Sequence, residues 1–301
     1  MATSVDGLVF LHVPKAGTSF SLSLFEYGCR YKSEVGLLHL MNDFRAGSHI
    51  EHVKAQCPGA FASLSGGHHP LLTEQAQRGH VVGMFRDPVE RVASGLAHNF
   101  HDCEALQHHL GITCSANHAD YSCASRAKNL TEATLMYANC VTGCMTRMLT
   151  GSACGRGEHG LSAPPAWKVG SSASSSSGSS ISSSSSRDVP ALAISRLRTA
   201  FQFVGDTGQW NRSVCIFCGL FSPRVQPYDY DRLFVNVRPS NNLGAVDKAK
   251  SILRTHKWHD AADQAVYHEV TAWLDKVEPR LQDNARYREC RAEWWKRRQR
   301  A

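Results

Sequence analysis

Apolar positions fall in short blocks along this chain, and two of those blocks share one pattern. Leu8 to Val13 is a β-rich apolar run bounded by Gly7 and Pro14, which predicts a buried strand. Thr18 or Ser19 then caps a helix whose apolar surface comes from Phe20, Leu22, Leu24 and Phe25. The same order recurs later: Val81 to Phe85 reads as a strand, and Pro88 suits the first turn of a helix running to about Phe100. Repeated strand, loop and helix predict parallel strands alternating with helices.

Residues 101–134 are polar, rich in His and Cys, and interrupt this rhythm. "LMYANCVTGCMTRMLTG" returns to a helical pattern, with Gly151 as its stop. Residues 170–186 are low in complexity and dominated by serine, which predicts a flexible loop within the domain, because helix and strand resume after it. "ALAISRLRTAFQFVG" reads as a helix leading into a strand at about Phe201 to Val204. "WNRSVCIFCGLF" reads as another helix, and "DQAVYHEVTAWLDKVEPRL" as an amphipathic one. The basic end "WWKRRQRA" fits a solvated helix terminus ahead of nucleic-acid or membrane contact. No apolar run reaches membrane-spanning length, and "MATSVDGLVF" has neither a basic start nor a clear cleavage site.

Composition narrows the picture. A chain of 301 residues, 42% of them apolar, can bury one large core. A single domain over residues 1–301 is therefore expected, with a polar insertion at about 101–134 and a serine-rich one at about 155–190. The formal charge of +7 favours an anionic ligand. Of the eleven cysteines, Cys103, Cys114 and Cys123 fit disulfides of an oxidising lumen. Cys140, Cys144, Cys215 and Cys218 lie in apolar surroundings and read as buried thiols, "CIFC" included. The His and Cys of "HDCEALQHHLGITC" match no common zinc-ligand spacing, so no metal is expected.

The loop "PKAGTS" between the first strand and its helix carries the chemistry. A helix N-terminus offers unpaired N–H groups and a positive dipole end, both suited to phosphate. Gly17 permits close approach of the backbone, and Thr18 and Ser19 add hydroxyls. The lysine precedes the glycine, so the loop fails the Walker spacing of ATP sites. Lys15 instead leaves the strand end ahead of the helix, where it can reach the terminal group of a nucleotide. The second unit adds Arg86 at a strand end and Ser94 roughly two turns into the next helix, a receptor for a second phosphate. Arg91 is expected to pair with Asp87 or Glu90 in its own helix.

"HVPKAGTSF" and "FRDPVERVASGL" together resemble the two cofactor signatures of sulfotransferases that use 3′-phosphoadenosine 5′-phosphosulfate (PAPS). The nearest branch by resemblance holds carbohydrate sulfotransferases of the heparan 2-O type and their algal and bacterial relatives. Steroid and phenol sulfotransferases are more distant, since they carry a tryptophan soon after the hydroxyl pair. "CMTRMLTG", "FQFVGDTGQWNRSV" and "DQAVYHEVTAWL" are similar to later segments of that branch, in the same order, with Gln209 standing where a glutamate is usual. The resemblance implies a P-loop-containing α/β nucleotide-binding fold with a central parallel sheet flanked by helices. It implies that Lys15, Ala16, Gly17, Thr18 and Ser19 hold the phosphosulfate, and that Arg86 and Ser94 hold the 3′-phosphate. Lys15 would also stabilise charge on the departing adenosine 3′,5′-bisphosphate, with no metal required.

A histidine of "SGGHHPLL" is the base by the same resemblance, His68 matching directly and His69 standing second. The acceptor so implied is a hydroxyl or amine, on a glycan or a small hydroxylated molecule. No nucleic-acid partner and no membrane span are expected. The resemblance places the protein in the Golgi lumen if an anchor lies outside this sequence, and otherwise in the cytoplasm. The alternatives are a P-loop nucleotide kinase, or a binding protein that kept the fold and lost the chemistry.

Overall fold

A computed structural model of the chain describes residues 8–17, 20, 68–112, 126–155, 188–221 and 243–299. Thr18, Ser19, Cys114, Cys123 and the serine-rich stretch lie outside the described residues. In chain order the elements are β1 (Val9–Leu11), α1 (Thr73–Arg78), β2 (Val81–Phe85), α2 (Pro88–Leu96), α3 (Ala105–His109), α4 (Leu130–Cys140) and α5 (Cys144–Leu149). Then follow α6 (Asp188–Ala200), β3 (Phe201–Asp206), α7 (Trp210–Phe221), α8 (Leu243–Thr255), α9 (Ala261–Val277) and α10 (Ala285–Arg298).

The three strands form one parallel sheet in the order β1-β2-β3. Every residue of β1 and β2 is buried, as befits parallel strands covered on both faces. Val9, Leu11, Val81 and Phe85 pack under α2, α4, α5, α6, α8 and α9. Leu8, Phe10, Val82, Met84 and Phe203 pack against α7 and α10. Phe20 joins this second layer, stacked on Phe203 at 5.4 Å and edge-on to Trp210 and Phe217. The molecule is therefore mixed α/β, mostly helical, around a small parallel sheet. No helix among the described residues is long and apolar enough to cross a membrane.

Three expectations change. The helix after β2 stops at Leu96, not near Phe100. The Gly95 carbonyl accepts from the backbone N–H of both His98 and His101, and fully buried Phe100 turns into the core, which draws the chain off the helical path. "LMYANCVTGCMTRMLTG" is two helices rather than one, broken at Gly143, whose φ of 72° leaves the helical region. Asp260 accepts from the Gly143 N–H at 2.6 Å, and Asp263 accepts from those of Met145 and Thr146. Cys140, Cys144 and Cys215 are not thiols: they form disulfides Cys103–Cys140, Cys144–Cys154 and Cys215–Cys290. Their partners lie 37, 10 and 75 residues away in sequence, and apolar surroundings alone did not reveal them.

Candidate functional site

Parallel strands bring their carboxyl ends to one edge, and Lys15 after β1 and Arg86 after β2 stand there. Lys15 follows β1 in a turn closed by the Ala16 N–H on the Val13 carbonyl at 3.1 Å. It adopts φ 60°, a left-handed conformation that costs a residue with a Cβ about 1 kcal/mol or more. Ala16 beside it is buried. Gly17 has φ 95°, and a Cβ there would come within 3.1 Å of the Met84 Cβ and 3.2 Å of the Thr207 Cγ2. Only glycine lets the loop lie this close to β2 and the end of β3. The Thr207 hydroxyl, buried at the same place, has no hydrogen-bond partner among the described residues.

Arg86 stands at the end of β2, half-buried. Its guanidinium donates to the Lys15 carbonyl and to Glu90 Oε2, both at 3.4 Å, so one side chain ties the two predicted signatures together. Burial lowers its pKa, while Glu90, Asp87 and Asp206 oppose that. Lys250 of α8 reaches Glu90 Oε1 at 3.0 Å and adds a cation that the sequence did not single out. Ser94 is half-buried on α2, whose start is fixed by Pro88 and by the Asp87 carboxylate accepting the Glu90 N–H. Gln209 donates to Asp206 and accepts from Arg212, which makes it a link in a polar chain at the end of β3.

Arg91 has the structural role expected of it but a different partner. Its guanidinium donates to the Val141 carbonyl at 3.0 Å and to Asp263 Oδ2 at 3.4 Å, both side chains being fully buried.

His68 and His69 part company. His69 is exposed, whereas His68 is turned inward and only 18% of its side chain is exposed. Leu71 anchors their segment, buried in the core with its N–H on the Met148 carbonyl at 2.8 Å, and Arg196 of α6 holds the Leu71 and Leu149 carbonyls. His68 Nδ1 lies 2.9 Å from Asp102 Oδ1. A carboxylate only accepts, so Nδ1 carries the proton, and in the neutral ring the lone pair is on Nε2. His68 Nε2 lies 3.4 Å from His101 Nε2, and His12, just past β1, places its ring 4.7 Å from that of His68.

His101 and Asp102 were not predicted. They lie in a loop after α2 where Asn99, Phe100 and Asp102 all have positive φ, near 60°. Three ties hold this conformation: buried Phe100, the Tyr137 hydroxyl donating to the His101 carbonyl at 2.9 Å, and the Cys103–Cys140 bridge. Burial pushes the His101 pKa down to about 3, with His68, Lys15 and His98 adding to the effect and Asp102 opposing it, so this imidazole is neutral. Burial pushes Asp102 upward, but the His68 hydrogen bond and the neighbouring His101, His68 and Arg91 hold it below the usual carboxylate value. The available signal was "HNFHDC" shortly after the second signature, read as a helix end and the start of an insertion whose His and Cys match no zinc spacing.

The site thus combines a strained lysine turn, a half-buried arginine and a carboxylate-oriented histidine at one sheet edge. Such an arrangement can bind a polyanion and accept a proton nearby. Comparison with protein-family models, with curated proteins and with solved structures yields no match for this chain.

Proposed function

We propose that this protein transfers a sulfuryl group from PAPS to an acceptor hydroxyl or amine, with a carbohydrate as the acceptor class, and that it works on a P-loop-type nucleotide fold. The observation that carries the reading is the Arg86–Lys15 hydrogen bond across the ends of β2 and β1, with the His68–Asp102 pair held against His12 just past β1. The order of the two signatures and the later segments in the sequence supports the same reading.

The residues present fit the donor. The Lys15–Gly17 turn lies close against Thr207, whose buried hydroxyl has no hydrogen-bond partner among the described residues and can donate to an anion. Bound PAPS supplies a sulfur centre whose bond to the 5′-phosphate oxygen breaks as the acceptor oxygen or nitrogen bonds to sulfur, releasing adenosine 3′,5′-bisphosphate. Lys15 and the loop amides balance charge on the phosphosulfate, and Arg86 with Ser94 receives the 3′-phosphate. His68 Nε2 accepts the acceptor's proton. Asp102 fixes the tautomer and stabilises the imidazolium so formed. Sulfuryl transfer is loose and in-line, so positioning and charge stabilisation provide most of the rate.

The test is transfer of labelled sulfate from PAPS to a panel of glycans, paired with thermal shift. Adenosine 3′,5′-bisphosphate is expected to raise Tm without magnesium. Lys15→Ala is expected to lower kcat by about 100-fold or more. A shift that requires both ATP and magnesium would indicate a kinase; stabilisation by the bisphosphate with no transfer to any acceptor would indicate a binding protein.

A further inference from the structure

His68 comes from the loop before α1, whereas His101 and Asp102 come from the loop after α2, so no linear spacing announces them as a group. Their ligand atoms lie within 4.8 Å of one another. The two Nε2 atoms are 3.4 Å apart. Two nitrogens each about 2.0–2.1 Å from a tetrahedral zinc ion lie about 3.3–3.4 Å apart, so the pair already stands at the separation a bound cation requires. Asp102 is placed as the outer partner of such a ligand: it takes the Nδ1 proton of His68 and leaves Nε2 as the donor atom. Its second oxygen, Oδ2, is buried with no hydrogen-bond partner among the described residues. His12 beside His68 and His98 beside His101, with ring centroids at 4.7 and 5.2 Å, put further imidazoles at the rim.

We propose that His68 and His101 form a binding site for a borderline divalent cation of the zinc class, with Asp102 as its outer carboxylate, and that occupancy switches the site off. Imidazole pairs select such ions over magnesium and calcium, which prefer oxygen ligands. The cation takes the Nε2 lone pair of His68, the one that would accept the acceptor's proton. No covalent or redox change accompanies binding. The inhibitory half rests on the sulfuryl-transfer reading, whereas the binding half does not. Lys15 acts against the cation by its charge, so the affinity is moderate and the control reversible by chelation.

The experiment titrates the full chain with zinc against a chromophoric chelator, and with cobalt by its visible absorption. One micromolar-class site is expected, with cobalt absorption of a nitrogen-ligated, four- or five-coordinate centre. His101→Asn is expected to weaken zinc at least 10-fold, and Asp102→Asn by about 10–100-fold. Thermal melts of the metal-free variants check that each is folded. His69→Asn should leave the affinity unchanged. Zinc should also suppress sulfate transfer by the wild type, with chelator restoring it, and His101→Asn should shift this inhibition to at least 10-fold higher zinc. Unchanged zinc affinity in a folded His101→Asn, or no wild-type site tighter than about 0.1 mM, would overturn the metal site. If zinc binds as described and PAPS supports no transfer, the binding half stands and the sulfotransferase reading falls.

Discussion

Lys15, Asn99, Phe100 and Asp102 hold backbone conformations that residues with a Cβ avoid, and the last three flank His101. Strain of this kind persists only where surrounding structure enforces it, and here glycine packing, a disulfide and a tyrosine hydrogen bond do so. His101 makes the cluster sensitive to pH in a defined sense. Its pKa is about 3 in the fold, against about 6.5 in an unfolded chain. Protonation therefore favours unfolding, so this group's contribution is complete above about pH 6.5 and declines as pH falls toward 3. Asp102, depressed by its neighbours, acts in the same sense: its contribution is complete above the ordinary aspartate range and is lost as pH falls below it. The facing groups are His68, Lys15, His98 and Asp102. Melting temperatures between pH 7 and 4.5 should fall in the wild type and fall less steeply in His101→Asn. Equal slopes would mean that His101 is not held neutral.

At the scale of elements, α2 links core and site. Its outer end carries Ser94 and leads into the His101 loop, while its inner face sends Arg91 to Asp263 of α9. Asp263 also accepts the Met145 and Thr146 N–H groups at the start of α5, so three helices meet at one buried carboxylate. Removing one member of such a pair leaves an uncompensated charge, which costs about 3–5 kcal/mol. Arg91→Met should therefore lower stability in urea by about that amount, and Arg91→Met with Asp263→Asn should cost less than the sum of the two single changes. A loss below about 1 kcal/mol in the single variant would show that the two charges are not coupled. The sequence exposed some of this scale and not the rest. Val81–Phe85 and the Trp210–Phe221 helix were legible because apolar period and proline or glycine punctuation are local signals. The Arg91–Asp263 pair was not, since nearby Asp87 and Glu90 offered a local answer to a long-range question. The same limit applied at the site: Lys15, Gly17 and Arg86 stood in readable motifs, whereas Asp102 joins His68 only through the folded chain.

For the molecule as a whole, cross-links redraw what the cysteines do. The bridges span sequence separations of 37 residues for Cys103–Cys140, 10 for Cys144–Cys154 and 75 for Cys215–Cys290. Three bridges lie among the described residues, a cysteine usage commoner in oxidising compartments than in reducing ones. In the chain-entropy account their contributions are about 4.5 kcal/mol for the longest loop, about 3.8 for the middle one and about 2.7 for the shortest. Position gives a different order for function. Cys215–Cys290 clamps α7 to α10 behind the sheet, while Cys103 follows Asp102 directly and fastens the site loop to α4. Replacing Cys215 and Cys290 by serine should then give the larger loss of stability in denaturant. Replacing Cys103 and Cys140 should give the larger loss of sulfate transfer at a temperature where both variants remain folded. If both pairs lowered transfer in proportion to stability alone, the bridge beside Asp102 would be a general staple and the site loop would owe its shape to Tyr137 and Phe100.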